Sequence, residues 1–233
     1  MHRDEPLQEI FADAQRASSP SRQLPIIDMT RMSRAEKVDV QIENVVAIAA
    51  LNQHLDLNAI LEATPGARYN PERFSGLVYK LQKPRTTTLL FHSGKMVCTG
   101  AKTTRSANNA ITQVVSQLKN LGIVILAPPE VRVENIVASA DLNTAIDLES
   151  VAERLFSTLY EPEQFPALIF RMKEPKAVFL VFANGKVICT GGKSEREVHI
   201  AVNQLNAILQ SNGLLAACSC TAGAALRGTL ATS

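Results

Sequence analysis

The sequence predicts an α+β protein built from two pseudo-symmetric copies of one β-α-β-β-β-β-α unit. The main observation is an internal repeat: residues 42–122 align with residues 133–213 at a constant offset of 91, without a gap. Of the 81 aligned pairs, 29 are identical. Apolar runs separated by tight-turn pairs indicate strands, and apolar residues three or four positions apart indicate helices. Duplicated units of this kind imply an approximate twofold axis.

Each copy begins with an apolar run, at residues 42–48 and 133–140, which is typical of a strand. A short helix is predicted next. Asp56 and Asp147 stand where an N-cap is expected, and apolar residues follow them at helical spacing. A proline-containing turn then leads into the remaining strands of each copy.

The later part of each copy predicts an antiparallel meander followed by a helix. The turn-forming pairs are Lys83-Pro84 and Ser93-Gly94 in the first copy, and Glu174-Pro175 and Asn184-Gly185 in the second. The closing helices are predicted at about residues 104–121 and 195–210, because each segment carries an apolar stripe.

The repeat also sets the domain boundaries. We predict a first repeat at residues 41–122, a linker at 123–131 and a second repeat at 132–213. Residues 1–40 are polar with mixed charge, and residues 214–233 are small and almost uncharged. Both ends are therefore expected to be flexible tails, the first of them largely disordered.

Composition excludes several classes of protein. Apolar residues make up 46% of the chain, which is ordinary for a globular protein with a core. No apolar run is long enough for a membrane span, and the start lacks the apolar segment of a secretory signal. Four cysteines without framework spacing indicate a reducing compartment. No catalytic arrangement or metal-ligand spacing stands out, so we expect no enzyme activity, no cofactor and no bound metal.

The two copies differ in charge. Residues 41–122 contain nine Lys or Arg and four Asp or Glu, so 9 − 4 = +5. Residues 130–213 contain eight and eleven, so 8 − 11 = −3. The first copy therefore suits a polyanion, whereas the second has an acidic edge that could meet a basic protein.

Both faces of the predicted sheet are apolar. Leu89, Phe91 and Val97 fall on one side of a predicted hairpin, and Leu90 and Met96 fall on the other. Two helices per copy can cover only one face, and an uncovered apolar face marks a binding surface. Duplex DNA is the commonest ligand with a matching twofold symmetry. Burial of this face by the tails, or by a homodimer of the free protein, is left open as the alternative.

At these residues the chain resembles the family of TATA-box-binding proteins, over residues 41–213. Four motifs occur in register in both copies: Pro-Glu-x-Phe, the Lys-Pro or Glu-Pro turn, Leu-x-Phe-x-x-Gly-Lys and Thr-Gly-x-Lys. The resemblance implies a ten-stranded antiparallel saddle, with helices on the convex face and DNA under the concave face. It also implies a general transcription initiation factor that binds the minor groove of the TATA box, kinks and bends promoter DNA, and recruits transcription factor B and RNA polymerase.

The resemblance assigns roles to individual residues. The family's DNA-intercalating wedges match Phe74, Phe91, Phe165 and Phe182. Minor-groove contacts are expected from Asn44, Asn135, Val46, Val137, Leu89, Leu180, Val97, Ile188, Thr99 and Thr190. Cations near strand ends that recur in both copies, and are expected to contact phosphates, are Lys80, Arg171, Lys95, Lys186, Lys102 and Lys193.

Glu161 and Glu163 match the loop on which this family docks transcription factor B. Asn70 replaces the first of these acids in the other copy, so the docking site is predicted in one half only. The alternative is a diverged scaffold protein that has kept the fold and lost the preference for TATA. The predicted location is the nucleus for a eukaryotic protein and the cytoplasm, at the nucleoid, for an archaeal one.

Overall fold

The computed structural model describes residues 38–215, and every structural statement below concerns these residues. The predicted tails at 1–40 and 214–233 lie almost entirely outside the described part of the chain. Within that part, no helix is both long and apolar enough to cross a membrane.

The first repeat contains five strands and two helices within the described residues. They are β1 (Val40–Ala50), α1 (Leu57–Ala63), β2 (Arg68–Asn70), β3 (Phe74–Gln82), β4 (Arg85–Phe91), β5 (Lys95–Ala101) and α2 (Thr104–Asn120). This is the predicted β-α-β-β-β-β-α order.

The second repeat has the same order of elements. They are β6 (Glu130–Asp141), α3 (Leu148–Arg154), β7 (Thr158–Leu159), β8 (Ala167–Met172), β9 (Ala177–Phe182), β10 (Lys186–Gly192) and α4 (Glu195–Ser211). Strand β6 begins inside the segment 123–131 that was predicted as the linker.

The strands of both repeats join into one antiparallel sheet. Its order across the described residues is β2-β3-β4-β5-β1-β6-β10-β9-β8-β7, so the halves meet where β1 pairs with β6. Each strand of the first half has its counterpart of the second half at the same distance from the centre of the sheet. A pseudo-twofold axis between β1 and β6 requires this arrangement. The predicted α+β fold with a ten-stranded antiparallel saddle is confirmed.

The short helices begin where the sequence predicts. Asp56 Oδ1 accepts hydrogen bonds from the backbone N–H groups of Asn58 and Ala59, at 3.0 and 3.1 Å. Asp147 makes the equivalent contacts at the start of α3. Each cap satisfies donors that the first helical turn leaves unpaired.

The core lies between the sheet and the helices. From Val45 to the end of β1, every second residue is buried (Val45, Ala47 and Ala49), and α2 turns a stripe of buried residues toward them. Burial of each large apolar side chain contributes roughly 1.5–3 kcal/mol. Cys98 and Cys189 are buried on this side. Burial raises the pKa of both thiols, that of Cys189 to about 12.

The Gly-Lys turns require glycine. Gly94 and Gly185 have φ angles of +78° and +87°, which side chains rarely adopt. A Cβ on either would lie 2.2 Å from a backbone oxygen of the loop that precedes the short helix, that of Gln53 or Thr144. The glycine of each Gly-Lys turn therefore lets the hairpin pack closely against the loop that follows the first strand of its repeat.

Candidate nucleic-acid interface

The sheet face opposite the helices, called the concave face below, carries three rows of side chains in each half. In the first half the paired residues are Gly76 and Phe91; Val78, Leu89 and Val97; and Lys80, Thr87 and Thr99. In the second half they are Ala167 and Phe182; Ile169, Leu180 and Ile188; and Arg171, Val178 and Thr190. Strand pairing thus gathers the predicted contact residues of each half into one array, with the aromatic row farthest from the hydroxyl row.

The four predicted wedges form two aromatic pairs. The rings of Phe74 and Phe91 meet edge to face, with centroids 5.9 Å apart and an angle of 70°. Phe165 and Phe182 do the same at 6.5 Å and 62°. The interaction free energy of an edge-to-face pair is about 0.5–1.5 kcal/mol beyond that of the buried area. Each ring therefore stabilises the orientation of its partner. With Phe74 46% exposed, a flat apolar edge is available to a ligand.

Gly76 makes room for the first aromatic pair, a role that the sequence analysis missed. A Cβ at this position would lie 2.6 Å from Cε1 of Phe74 and 3.0 Å from Cε1 of Phe91. The second repeat has Ala167 at the equivalent position, and its aromatic pair is correspondingly wider. The repeat alignment places Gly76 opposite Ala167, and this mismatch could have drawn attention to the position.

The amide of Asn44 is fixed by three contacts. Its Oδ1 accepts from the backbone N–H of Gly100 at 2.8 Å and from the hydroxyl of Thr99 at 3.2 Å. Its Nδ2 donates to the same hydroxyl at 3.1 Å. Gly100 has a φ of +95°, a conformation that favours glycine at this position.

Asn135 has the same arrangement in the second half. Its Oδ1 accepts from the N–H of Gly191 at 2.8 Å, and its Nδ2 lies 3.0 Å from the hydroxyl of Thr190. Asn44 pairs with Val137 across the central strands, and Val46 pairs with Asn135. The structure therefore brings these four predicted minor-groove residues together at the pseudo-twofold axis.

This geometry determines which hydrogen-bonding groups the centre of the concave face presents to a ligand. Because the N–H of a glycine binds each amide oxygen, the amide nitrogens point away from it and keep a free hydrogen. A donor at this position matches the N3 of adenine or the O2 of thymine, the acceptors of the minor groove. Half-exposed Val46 and Val137 beside the amides add flat apolar surface.

The two halves of the concave face differ in packing. Leu180 and Thr190, predicted to contact DNA, are 0% and 6% exposed, whereas their counterparts Leu89 and Thr99 are partly exposed. Leu180 lies between Ile169 and Ile188, which are larger than the valines beside Leu89. Leu180 is therefore buried among its neighbours and does not form part of the surface of the concave face.

The predicted phosphate contacts lie near the ends of strands. Lys80, Lys95, Lys186, Lys102 and Lys193 are exposed, and Arg171 is partly exposed.

Two of these lysines contact carboxylates that the sequence analysis did not consider. Lys102 Nζ lies 2.6 Å from Glu43, and Lys193 Nζ lies 3.9 Å from Glu134. The hydrogen bonds that Lys102 and Ser139 donate to Glu43 lower the pKa of its carboxyl. A phosphate that approaches Lys102 has to replace a charged carboxylate.

Glu161 and Glu163 lie in the loop between β7 and β8, called the acidic loop below (residues 160–166), and both are exposed. The N–H groups of Gln164 and Phe165 donate to the backbone oxygen of Glu161, at 3.0 and 2.9 Å. One turn thus carries both the predicted docking acids and the wedge Phe165. Across residues 38–215, no three His, Cys, Asp or Glu side chains gather as a metal site would require.

Comparison with known families agrees with this geometry. The family model described as "Transcription factor TFIID (or TATA-binding protein, TBP)" matches residues 39–121 and again residues 130–212. The two matches fall on the two repeats.

Individual relatives cover most of the chain. The TATA-box-binding protein of Pyrodictium occultum is 51% identical over 178 residues, which is 75% of this chain and 89% of the relative. That of Pyrobaculum calidifontis is 46% identical over 175 residues, 75% of this chain and 88% of the relative. The solved structure of Methanococcus jannaschii TBP superposes with a TM-score of 0.69 at 39% identity, covering 74% of this chain and 99% of that one.

Proposed function

The chain belongs to the TATA-box-binding protein family of general transcription factors, and from this premise we propose how it acts on a promoter. The concave face binds the minor groove of an A·T-rich element. The two phenylalanine pairs enter base steps at the ends of the element and kink it. The acidic loop then recruits transcription factor B, and RNA polymerase follows.

The observation that carries the proposal is the pair of fixed amides at the pseudo-twofold axis. Asn44 and Asn135 present donors with their oxygens already bound to Gly100 and Gly191. In the minor groove, A·T and T·A pairs both offer acceptors, and only guanine adds a protruding amino donor. Two donors flanked by valines therefore favour A·T pairs at the centre and are blocked by guanine.

The aromatic pairs supply the means of bending. Unstacking a base step costs a few kcal/mol, and bending a site adds on the order of 1–10 kcal/mol. Burial of roughly 1,000 Å² of apolar surface returns about 25 kcal/mol before association costs are subtracted. Insertion is therefore favourable only when the whole concave face contacts the groove, which couples recognition to bending.

Recruitment rests on the asymmetry of the halves. Glu161 and Glu163 are exposed in the second repeat, where the first repeat has Asn70 and Glu72. A partner that docks on one half only would orient the complex on a nearly symmetric DNA site. The relatives named above are archaeal, which favours the cytoplasm, at the nucleoid, as the place of action.

Equilibrium competition tests the recognition step. The protein is bound to a labelled TATA duplex at one fixed salt concentration, and unlabelled TATA or GC-scrambled duplex is added. We expect the TATA duplex to compete at least about 100-fold better, since each mismatched pair in a specific site costs about 1–3 kcal/mol. Equal competition by both duplexes would instead indicate a scaffold protein that has lost the preference for TATA.

A further inference from the structure

Two histidines that are far apart in the sequence meet on the surface of the first half. The imidazole rings of His54 and His92 have centroids 4.9 Å apart and an angle of 31° between their planes. His54 lies in the loop between β1 and α1, and His92 lies in the turn between β4 and β5, directly after the wedge Phe91. Both histidines line a surface cleft of about 400 Å³, together with Asp56 and Tyr69. The pair has no role in the function proposed above.

The repeat shows that the fold does not require these imidazoles. At the offset of 91, the second half has alanine at both positions, Ala145 and Ala183. The backbone hydrogen bond between the two segments is nevertheless the same. The N–H of Leu55 donates to the oxygen of His92, and that of Ile146 donates to the oxygen of Ala183, both at 2.9 Å. The two histidines are therefore a shared feature of one half, added to a loop and a turn that form without them.

The protonation of His92 is fixed by the backbone. Its Nδ1 lies 2.8 Å from the oxygen of Leu55. Because a carbonyl oxygen only accepts, Nδ1 carries the hydrogen and Nε2 keeps a lone pair. Histidines that bind metals usually donate their other N–H in this way, which fixes the ring and makes the ligating nitrogen more basic. Within residues 38–215, His54 has no hydrogen-bond partner, so it has a nitrogen lone pair available too.

The separation of the two rings fits a shared ion. A nitrogen ligand lies about 2.0–2.1 Å from Zn²⁺, which places each ring centre about 3.2 Å from the ion. Two such rings have centres about 4.5 Å apart at a right angle and about 5.2 Å apart at the tetrahedral angle. The observed 4.9 Å lies between these values. Both side chains are exposed, so rotation of the side chains alone can bring their nitrogens to one ion.

Asp56 adds negative charge to the same cleft. Its Oδ1 accepts from the N–H groups of Asn58 and Ala59. In the second half the hydroxyl of Ser150 donates to Oδ2 of Asp147 at 2.8 Å, whereas the first half has Ala59 in place of that serine. Among the described residues, Oδ2 of Asp56 therefore has no partner. A carboxylate oxygen that is free in the cleft attracts a cation and can accept hydrogen bonds from water bound to it.

We propose that His54 and His92 bind one divalent transition-metal ion, of the class that imidazole ligands prefer, such as Zn²⁺ or Ni²⁺. Each histidine supplies one nitrogen, and water supplies the other ligands, because no third His, Cys, Asp or Glu of residues 38–215 gathers with them. Two protein ligands make a site for an exchangeable ion, unlike a permanent centre with three or four. The ion joins the loop after β1 to the turn that carries Phe91, so its binding stabilises the folded protein.

Titration calorimetry with Zn²⁺ tests the site in the full chain. Every variant also carries Cys218→Ser, Cys220→Ser and His2→Gln, which removes metal-binding side chains near the two ends of the chain. We expect this parent protein to bind one Zn²⁺. His54→Ala and His92→Ala, which install the residues of the second half, should each weaken binding by at least about tenfold, since loss even of an outer-shell partner costs 10- to 100-fold.

His199→Gln is the matched control, because it removes an imidazole from helix α4 and leaves the pair intact. It should bind Zn²⁺ as the parent does. The thermal unfolding midpoint gives a second readout: Zn²⁺ should raise it in the parent and in the control, and not in the two alanine variants.

Three results would overturn the site. They are a parent that binds no Zn²⁺, an alanine variant that binds it as tightly as the parent, and an equal loss of binding in His199→Gln. The first would leave the pair as a ring contact only. None of these measurements involves DNA, so the site can fail while the proposed function stands, and the reverse.

Discussion

The amides of Asn44 and Asn135 decide which polar atoms the concave face presents at its centre. Each oxygen is bound to the N–H of a glycine at 2.8 Å. Each nitrogen donates one hydrogen to a threonine hydroxyl and has its second hydrogen left for a ligand. Exchange of Asn for Asp keeps the acceptor for the glycine and removes the donor. This substitution therefore tests the donor without removing the side chain.

We expect Asn44→Asp or Asn135→Asp to weaken TATA binding by roughly 10- to 100-fold, since an acceptor left unpaired in the complex costs about 1–3 kcal/mol. The measurement is the dissociation constant of a labelled TATA duplex at fixed salt. Asn58→Asp makes the same change of charge at an exposed position on helix α1 and serves as the control. Equal losses in all three variants would mean that charge alone, and not the donor, is responsible.

A substitution at Gly76 tests the position of the aromatic pair without changing either ring. In Gly76→Ala the new Cβ would lie 2.6 Å from Phe74, so the ring has to move. We expect stability to change by less than about 1 kcal/mol, because the ring is flexible and alanine restricts the unfolded chain. DNA bending should nevertheless weaken, and fluorescence transfer across an end-labelled TATA duplex measures it. In Ala167→Gly no ring is displaced, so unchanged bending is expected there.

The family resemblance predicted which side chains to examine, and it could not predict how they are held. Asn44 and Gly100 are 56 residues apart, so their hydrogen bond depends on the register of β1 against β5. That pairing contains a bulge, which no local pattern in the sequence specifies. The burial of Leu180 depends likewise on its neighbours in two other strands.

Helix caps were predictable because an N-cap is a local arrangement. Asp147 accepts from the hydroxyl of Ser150 and from the N–H groups of Ser150 and Glu149, and these bonds lower the pKa of its carboxyl below the ordinary 3.8. A carboxyl with a lowered pKa in the folded state adds stability above its unfolded pKa. That stability is lost as the pH falls through the folded value.

We therefore expect Asp147→Asn to remove part of the acid sensitivity of the protein. Between about pH 5 and about pH 3, the thermal unfolding midpoint of the wild type should fall more than that of the variant, because the variant has no carboxyl to protonate there. Glu153→Gln removes an exposed carboxyl from the same helix and should follow the wild type. Identical curves for Asp147→Asn and the wild type would contradict the cap's contribution.

The predicted phosphate contacts lie in strands or directly after them, whereas the helices lie on the other side of the sheet. Lys186 begins β10 and is exposed, and Lys119 is exposed in the last turn of α2. Lys186→Gln should reduce the slope of log K against log salt by about 0.9, the value for one phosphate contact. The preference for TATA over scrambled DNA should stay the same, since phosphate contacts carry no sequence information. Lys119→Gln should leave the slope unchanged.

The complete sheet is symmetric in backbone and asymmetric in surface. The duplication predicted two equal halves about a pseudo-twofold axis, and the family resemblance predicted the single ten-stranded sheet; the structure adds that the halves join where β1 pairs with β6. Some differences between the halves lie in residues that the alignment shows as mismatches, such as Gly76 with Ala167 and Arg68 with Leu159. Others, such as the burial of Leu180 but not of Leu89, lie in identical residues with different neighbours. A mismatch indicates where the halves differ, and only the folded structure shows which side chain becomes exposed.

Fluorescence transfer across a short duplex labelled at both ends tests most directly whether this face bends TATA DNA. The protein is titrated into a TATA duplex and, in parallel, into a GC-scrambled duplex of equal length. We expect the distance between the ends to shorten on the TATA duplex alone, and exchange of Phe74, Phe91, Phe165 and Phe182 for Ala to abolish the shortening. Binding without shortening, or full bending by the variant that lacks all four rings, would contradict bending by this face.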